Sequence, residues 1–149
     1  MPKIDLDSIA KTNATGYFAP YDREVEGRWN AKLMGPAGLS DFGATHCLLK
    51  PGAWSSQRHW HDDEDELVVI LTGEAVLIDD MGRTPMRAGD IAAFPKGDGN
   101  GHHLVNESDS DCVLLALGKV ALSDCHYPDI DMHLFAGAGR QKRKDGSEP

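Results

Sequence analysis

From residue 43 to residue 118 the chain is a succession of apolar runs, each ended by turn-forming residues after four to seven positions. The runs are Ala44–Lys50, Leu67–Leu71, Ala75–Ile78, Ile91–Phe94, His102–Val105 and Cys112–Leu117. Between them stand Lys50-Pro51-Gly52, Thr72-Gly73-Glu74, Asp79-Asp80-Met81-Gly82, Arg87-Ala88-Gly89-Asp90 and the glycine-rich stretch Lys96 to Gly101. Gly, Asp, Asn and Pro at such breaks favour tight turns rather than continued helix. Many short runs with turn chemistry between them specify an all-β sandwich or barrel, and strands joined by turns this short are mostly antiparallel neighbours. The longest apolar run, Leu67–Leu71, falls far short of the roughly 20 residues that span a bilayer as a helix.

A chain of 149 residues fits one domain. At this size a folded chain buries enough surface to need neither a disulfide nor a structural metal, so a bound metal is expected to be functional. Residues 43–118 form the predicted barrel core. Residues 1–42 read as an extension packed on it, with Ile4 to Ile9 as an edge strand or helical turn and the aromatics of Tyr17 to Trp29 covering one end. Residues 119–136 read as an arm on the outside, and 137–149, glycine-rich and then basic and polar, as a disordered tail. Cys47, Cys112 and Cys125 make an odd number without a CxxC pair, and no secretion signal opens the sequence, so a reduced, cytoplasmic protein is expected. Cys47 and Cys112 sit in apolar runs and are expected to behave as small buried hydrophobes.

The net charge is −9, and without the basic tail residues 1–139 carry 11 basic and 22 acidic side chains. Such a field repels phosphate backbones and anionic lipid, which argues against nucleic-acid and membrane partners and for a small-molecule ligand. The acids cluster in the unbroken run Asp62-Asp63-Glu64-Asp65-Glu66. That run directly follows His59-Trp60-His61. Residues two apart on a strand share a face, so His59 and His61 can reach one cation while Trp60 turns outward, toward a second sheet or a partner subunit. Four residues then make a hairpin loop, and Glu66 opens a strand on which Glu66, Val68 and Ile70 share a face. The loop acids read as solvated, with Glu64 or Asp65 the candidate to fold over the site, supporting a ligand or acting as a catalytic base. Gln57 shares the parity of His59 and is a candidate pocket residue, and Arg58 and Lys50 are candidate substrate-binding cations. On the strand after Gly101, His102, Leu104 and Asn106 share one face and His103 and Val105 the other, so only one of the adjacent histidines points inward.

Gly97 to Gly101 is followed by no helical pattern, which removes a phosphate-binding glycine loop. Ser40 lacks the glycine spacing of a nucleophilic serine. His126 and His133 in the arm have no ligand partners at useful spacing and read as surface or packing residues.

These motifs resemble the cupin superfamily, whose first signature runs G-x5-H-x-H-x3–4-E-x6-G and whose second runs G-x5-P-x-G-x2-H-x3-N. The first is matched from Gly52 through His59, His61 and Glu66 to Gly73, with one extra residue after Gly52; the second from Gly89 through Pro95 and Gly97 to His102 and Asn106, with two extra residues before the histidine. The resemblance implies a double-stranded β-helix, or jelly-roll barrel, and His59, His61, Glu66 and His102 as metal ligands, with His103 as the alternative to His102. Three imidazoles and a carboxylate suit one divalent transition metal, Zn, Mn, Fe, Ni, Co or Cu, and leave positions open. The pattern is similar to small bacterial cupins labelled sugar phosphate isomerases. It implies an enzyme acting on a sugar, sugar phosphate or keto acid by isomerisation, epimerisation or lyase chemistry. An iron dioxygenase or a non-catalytic ligand sensor are the alternatives, and a homodimer is expected.

Overall fold

The computed structural model describes residues 3–119 and 123–149. Eleven strands make up most of its regular structure: β1 Arg28–Lys32, β2 Phe42–Leu49, β3 Trp60–His61, β4 Glu66–Thr72, β5 Glu74–Asp79, β6 Gly82–Arg87, β7 Ile91–Phe94, β8 His103–Val105, β9 Cys112–Lys119, β10 Cys125–His126 and β11 His133–Leu134. One four-residue helix, α1 Met34–Ala37, precedes β2. The strands form three antiparallel sheets ordered β1-β2-β9-β4-β7, β6-β5-β8 and β11-β10-β3. The all-β jelly roll expected from the sequence is therefore the fold.

Alternation along the strands builds the interior. Val68 and Ile70 of β4 point inward with Leu114 of β9 and with Cys47 and Leu49 of β2; from the facing sheet come Ala75, Met86 and Leu104. Each fully buried Leu or Ile contributes roughly 1.5–3 kcal/mol. Cys47 and Cys112 lie in this core, where burial pushes their thiols up to about 12 and about 11, so both act as inert apolar side chains.

Two features depart from the simple strand-and-turn expectation. Strand β6 was not legible because Gly82 and Pro85 break the apolar pattern. It is tolerated because β6 is an edge strand whose one neighbour is β5, so the missing proline N–H is not needed by a second neighbour. The turn at Gly73 joins no hairpin: β4 lies between β9 and β7, and β5 lies between β6 and β8, so Gly73 carries the chain from one sheet to the other. Its φ is +75°, and a Cβ there would stand 2.5 Å from the Asp111 carbonyl oxygen, so glycine is required twice over.

The flanking segments are also placed. The N-terminal extension does more than pack on the core, because β1 pairs with β2 from Arg28↔Leu49 to Lys32↔Thr45 and widens the main sheet. Ile4 to Ile9 contains a 3-10 turn, Leu6–Ser8, capped by the Asp5 carboxylate accepting from Asp7 N at 3.2 Å. Tyr17, Phe18 and Tyr21 pack with Cys125, Tyr127 and Met132 of the arm. Residues 120–122 of the predicted arm lie outside the described residues. Beyond them, the segment expected to be a disordered tail runs back along β11, with Lys142 and His133 exchanging two backbone hydrogen bonds of 2.9 Å. Its backbone finds partners that its composition does not advertise.

Candidate metal centre

Three chain segments converge at one end of the core. Glu66, the first residue of β4, is paired with Phe94 on one side and Gly118 on the other. His59 forms a two-way backbone bridge with His102, at 3.1 and 2.9 Å, and His61 lies opposite Cys125 in the β3–β10 pair. The carboxylate thereby faces three imidazoles. Glu66 Oε2 is 2.9 Å from His102 Nε2 and 3.6 Å from His59 Nε2, and Glu66 Oε1 is 3.6 Å from His61 Nε2.

The far side of each ring is tied. His59 Nδ1 donates to the Gln57 carbonyl at 2.9 Å, and His102 Nδ1 donates to the Asn100 carbonyl at 3.2 Å. His61 Nδ1 faces Glu64 Oε2 at 3.3 Å. A carbonyl cannot donate, so at His59 and His102 Nδ1 carries a proton and Nε2, the nitrogen turned toward Glu66, is the one that would bind a metal in place of a proton. The ring of His102 is further fixed by stacking on Phe94 at 3.6 Å between centroids. Adjacent donors around a metal with bonds near 2.1 Å stand about 3.0–3.4 Å apart, so the separations around Glu66 fit a divalent transition metal.

The charges point the same way. Burial opposes ionisation of Glu66, but hydrogen bonds from His102, His59 and His61 outweigh it and hold the carboxyl far below its usual range. Burial likewise disfavours a charged His61, yet Cys125 and Glu66 outweigh that and raise it. A buried carboxylate ringed by imidazoles favours positive charge at its centre, which a proton or a metal cation can supply.

The remaining candidates are distributed as follows. His103 points the other way from His102: its Nδ1 donates to the Ser56 carbonyl at 2.9 Å and its ring stands edge-on to Trp54 at 4.6 Å. Glu64 reaches the cluster through His61, in a space that exists because residue 118 is glycine; a Cβ there would meet Glu64 Oε1 at 2.6 Å. Gln57 is buried but turned away, donating to the Tyr21 carbonyl and to Glu24. Lys50 pairs with Asp111 at 2.9 Å, and Arg58 grips Asp129 through two bonds of 2.7 Å and also binds Asp80. Neither cation lines the cavity beside the cluster. The loop acids are engaged as well: Asp63 pairs with Lys96 and Lys119, and Asp62 with His126. Trp60, expected on the outside, stacks on His126 of β10 at 4.0 Å.

Two residues at the site were not singled out from the sequence. Cys125 Sγ lies within 4.8 Å of donor atoms of His59 and His61, brought there by the β10 pairing. Arg28, at the start of β1, lines the cavity together with His59, Glu66 and His102. Alternation in Arg28-Trp29-Asn30-Ala31-Lys32 was the available signal, since a strand there puts Arg28 and Asn30 on one face. In the β3–β10–β11 sheet, His126 and the buried His133 form a cross-strand pair; His133 binds Asp124 at 2.9 Å and His126 binds Asp62 at 3.0 Å, so both arm histidines have carboxylate partners.

The fold is an all-β jelly roll of the cupin type that gathers three imidazoles and a carboxylate at one end, a candidate metal site. The family model of the cupin domain matches residues 45–118. A solved structure from Silicibacter pomeroyi, described as a sugar phosphate isomerase from a cupin superfamily, is 41% identical, covers 99% of this chain and 96% of its own, and superposes with a TM-score of 0.92. A protein from Acidithiobacillus ferrooxidans labelled a candidate sugar phosphate isomerase is 27% identical over 78% of this chain and 76% of its own, with a TM-score of 0.72. A Thermotoga maritima protein described as a predicted oxalate decarboxylase, 22% identical over 78% of this chain and 97% of its own with a TM-score of 0.62, supports the fold alone. No curated protein matches the sequence. The chain belongs to the cupin superfamily.

Proposed function

We propose that this cupin is an enzyme holding one divalent transition metal with His59, His61, Glu66 and His102, and that it acts on a small polar metabolite by isomerisation, epimerisation or lyase chemistry. The observation that carries this reading is the convergence of three Nε2 atoms on the Glu66 carboxylate at 2.9–3.6 Å. The Silicibacter pomeroyi relative, matched over almost its whole length, adds support for a sugar or sugar phosphate among the candidate substrates. Keto acids share the adjacent oxygens that such a site would engage. A bound metal would supply Lewis acidity, lowering the cost of negative charge that develops on a substrate oxygen.

The protein's own groups do the rest. The carbonyls of Gln57 and Asn100 orient the rings of His59 and His102 through Nδ1. Phe94, stacked on His102, keeps water from that flank. Glu64 is the group placed to hold or move a proton: burial raises its pKa above the ordinary carboxylate value, and it opens on a cavity of about 260 Å³ that Thr45, Glu66 and Gly118 also line. The reading includes a cytoplasmic homodimer. Three free cysteines suit a reducing compartment, and Trp29 and Ile91 are exposed apolar side chains that a second copy would cover. Among the described residues no helix is long and apolar enough to cross a membrane.

Elemental analysis of protein purified without an affinity tag, followed by substrate screening of the loaded protein, tests the proposal. One equivalent of zinc or manganese, and turnover lost in Glu64→Gln, are the expected results. Iron with oxygen consumption would replace isomerase or lyase chemistry by dioxygenase chemistry, and failure to bind any of these metals after reconstitution would overturn the reading.

A further inference from the structure

The two cations that the sequence offered for substrate binding, Lys50 and Arg58, are each paired with aspartate away from the cavity. The cavity that opens behind Glu66 has a volume of about 200 Å³ and contains a different cation, Arg28. Val68, Phe94, Leu104 and Leu114 give it an apolar wall. Arg28, Asn30 and Thr45 are polar members of the lining, together with His59 and His102.

The state of this guanidinium indicates a role. Its Nη1 donates to the Ser55 carbonyl at 2.7 Å, and the Tyr17 ring lies 5.8 Å from the guanidinium carbon. Both contacts hold the group in place. Neither neutralises it, and no carboxylate of the described residues lies within ion-pair distance. Nε is buried and has no hydrogen-bond partner at all. A buried N–H of a charged group without an acceptor is costly, and such sites persist where a ligand supplies the acceptor. Nε thus lacks an acceptor from the chain, and the paired N–H groups of a guanidinium match the two oxygens of a carboxylate.

We propose that Arg28 is the docking group for an oxyanion on the substrate, and that the ligand class is a short hydroxy- or oxo-acid. Its carboxylate lies on the Arg28 guanidinium and its other oxygens face the His59, Glu66 and His102 cluster. The size of the cavity supports a compact ligand, because 200 Å³ lies below the roughly 300–1,000 Å³ of sites for drug-sized molecules. The apolar wall offers a long polyol few partners. The charge supports an anion, since Arg28 carries the one fixed positive charge on the lining. This inference rests on the metal reading for the far end of the ligand, but the Arg28 end stands on its own geometry.

Calorimetric titration of the metal-loaded protein with pyruvate, glycolate and inorganic phosphate tests it, alongside metal stoichiometry for every variant. In wild type a carboxylate probe is expected to bind more tightly than phosphate. Arg28→Met is expected to weaken that binding by about tenfold to a hundredfold, with metal content unchanged. Arg28→Lys keeps the charge but not the fork, and an intermediate loss is expected. Because Arg28 also supports Ser55, a wild-type measurement accompanies the variants: pyruvate is expected to protect Arg28 from phenylglyoxal, read by peptide mass. Carboxylate affinity unchanged in Arg28→Met, absence of protection, or no binding of either acid at millimolar concentration would each overturn the proposal. Arg28-dependent preference for phosphate would overturn the acid assignment. If no metal is retained but Arg28-dependent carboxylate binding persists, the metal reading fails and the Arg28 site stands.

Discussion

Glu66 Oε2 lies 2.9 Å from His102 Nε2, joining the head of β4 to the residue before β8 across 36 positions of sequence. Among the described residues this carboxylate is the only anion placed to face all three imidazoles, so its charge is expected to govern cation affinity. Glu66→Gln preserves shape and removes that charge. Metal affinity measured by competition with a chromogenic chelator is expected to fall at least about tenfold, while the circular dichroism spectrum stays that of wild type. Retention of wild-type affinity would remove Glu66 from the ligand set.

Adjacent histidines make a second, sharper test. His102 and His103 are both buried, yet one faces Glu66 and the other faces the Ser56 carbonyl and Trp54. His102→Ala is expected to lower metal stoichiometry. His103→Ala leaves the Ser56 carbonyl without its donor and removes the edge contact with Trp54, and is expected to cost about 1–3 kcal/mol in urea unfolding with metal content intact. The opposite pattern, with metal lost in His103→Ala and kept in His102→Ala, would exchange the two roles.

That difference was half legible in the sequence. Strand parity says that only one of two adjacent histidines points inward, and it says that His59, His61 and Glu66 can meet, because those statements concern residues within a few positions of each other. It cannot say which long-range segments close over them. Cys125 reaches His61 only through the two-residue β3–β10 pairing, and Arg28 enters the cavity only because β1 adds to the edge of β2. Neither pairing leaves a periodic signal. Arg58 and Lys50 show the converse: their positive charge made them candidates to bind substrate, and the partners that engage them, Asp129 and Asp111, lie 71 and 61 positions away. Strand β6 was hidden for another reason, since Gly82 and Pro85 are permitted only by an edge position that topology assigns.

Gly73 is where backbone geometry, rather than a side chain, limits substitution. Its φ of +75° and the Asp111 carbonyl 2.5 Å from a prospective Cβ act together. Gly73→Ala is expected to destabilise the fold by about 1–3 kcal/mol in chemical denaturation, without altering the metal affinity of the protein that remains folded. Gly52→Ala serves as the control. It too has positive φ, at +82°, but its Cβ would meet nothing within 4 Å, so a smaller loss is expected. Equal losses at both positions would mean that the close approach to Asp111 is relieved by local movement.

The arm is held to the core by Arg58, and that attachment is expected to depend on pH. Arg58 donates Nε and Nη2 to the two oxygens of Asp129, each at 2.7 Å. The hydrogen bond from Arg58 is the leading reason that the Asp129 pKa is lowered; burial opposes it, and the charges of Arg58, His103 and Lys144 reinforce it. A carboxyl whose folded pKa lies below its unfolded value contributes stability above the unfolded value, near 3.9, and loses it as pH falls through the lowered one. The attachment is therefore complete at neutral pH and weakens below about pH 4. Asp129 is half exposed, so salt is expected to weaken the pair as well. Asp129→Asn imitates the protonated state at neutral pH. Trp60, stacked on His126 of the arm, gives the readout: a shift in its emission is expected in Asp129→Asn at pH 7 and in wild type near pH 3, and faster amide exchange at Cys125–His126 is expected in Asp129→Asn than in wild type, both at pH 7. Identical exchange in variant and wild type at pH 7 would show that the apolar contacts of Cys125, Tyr127 and Met132 hold the arm without the ion pair.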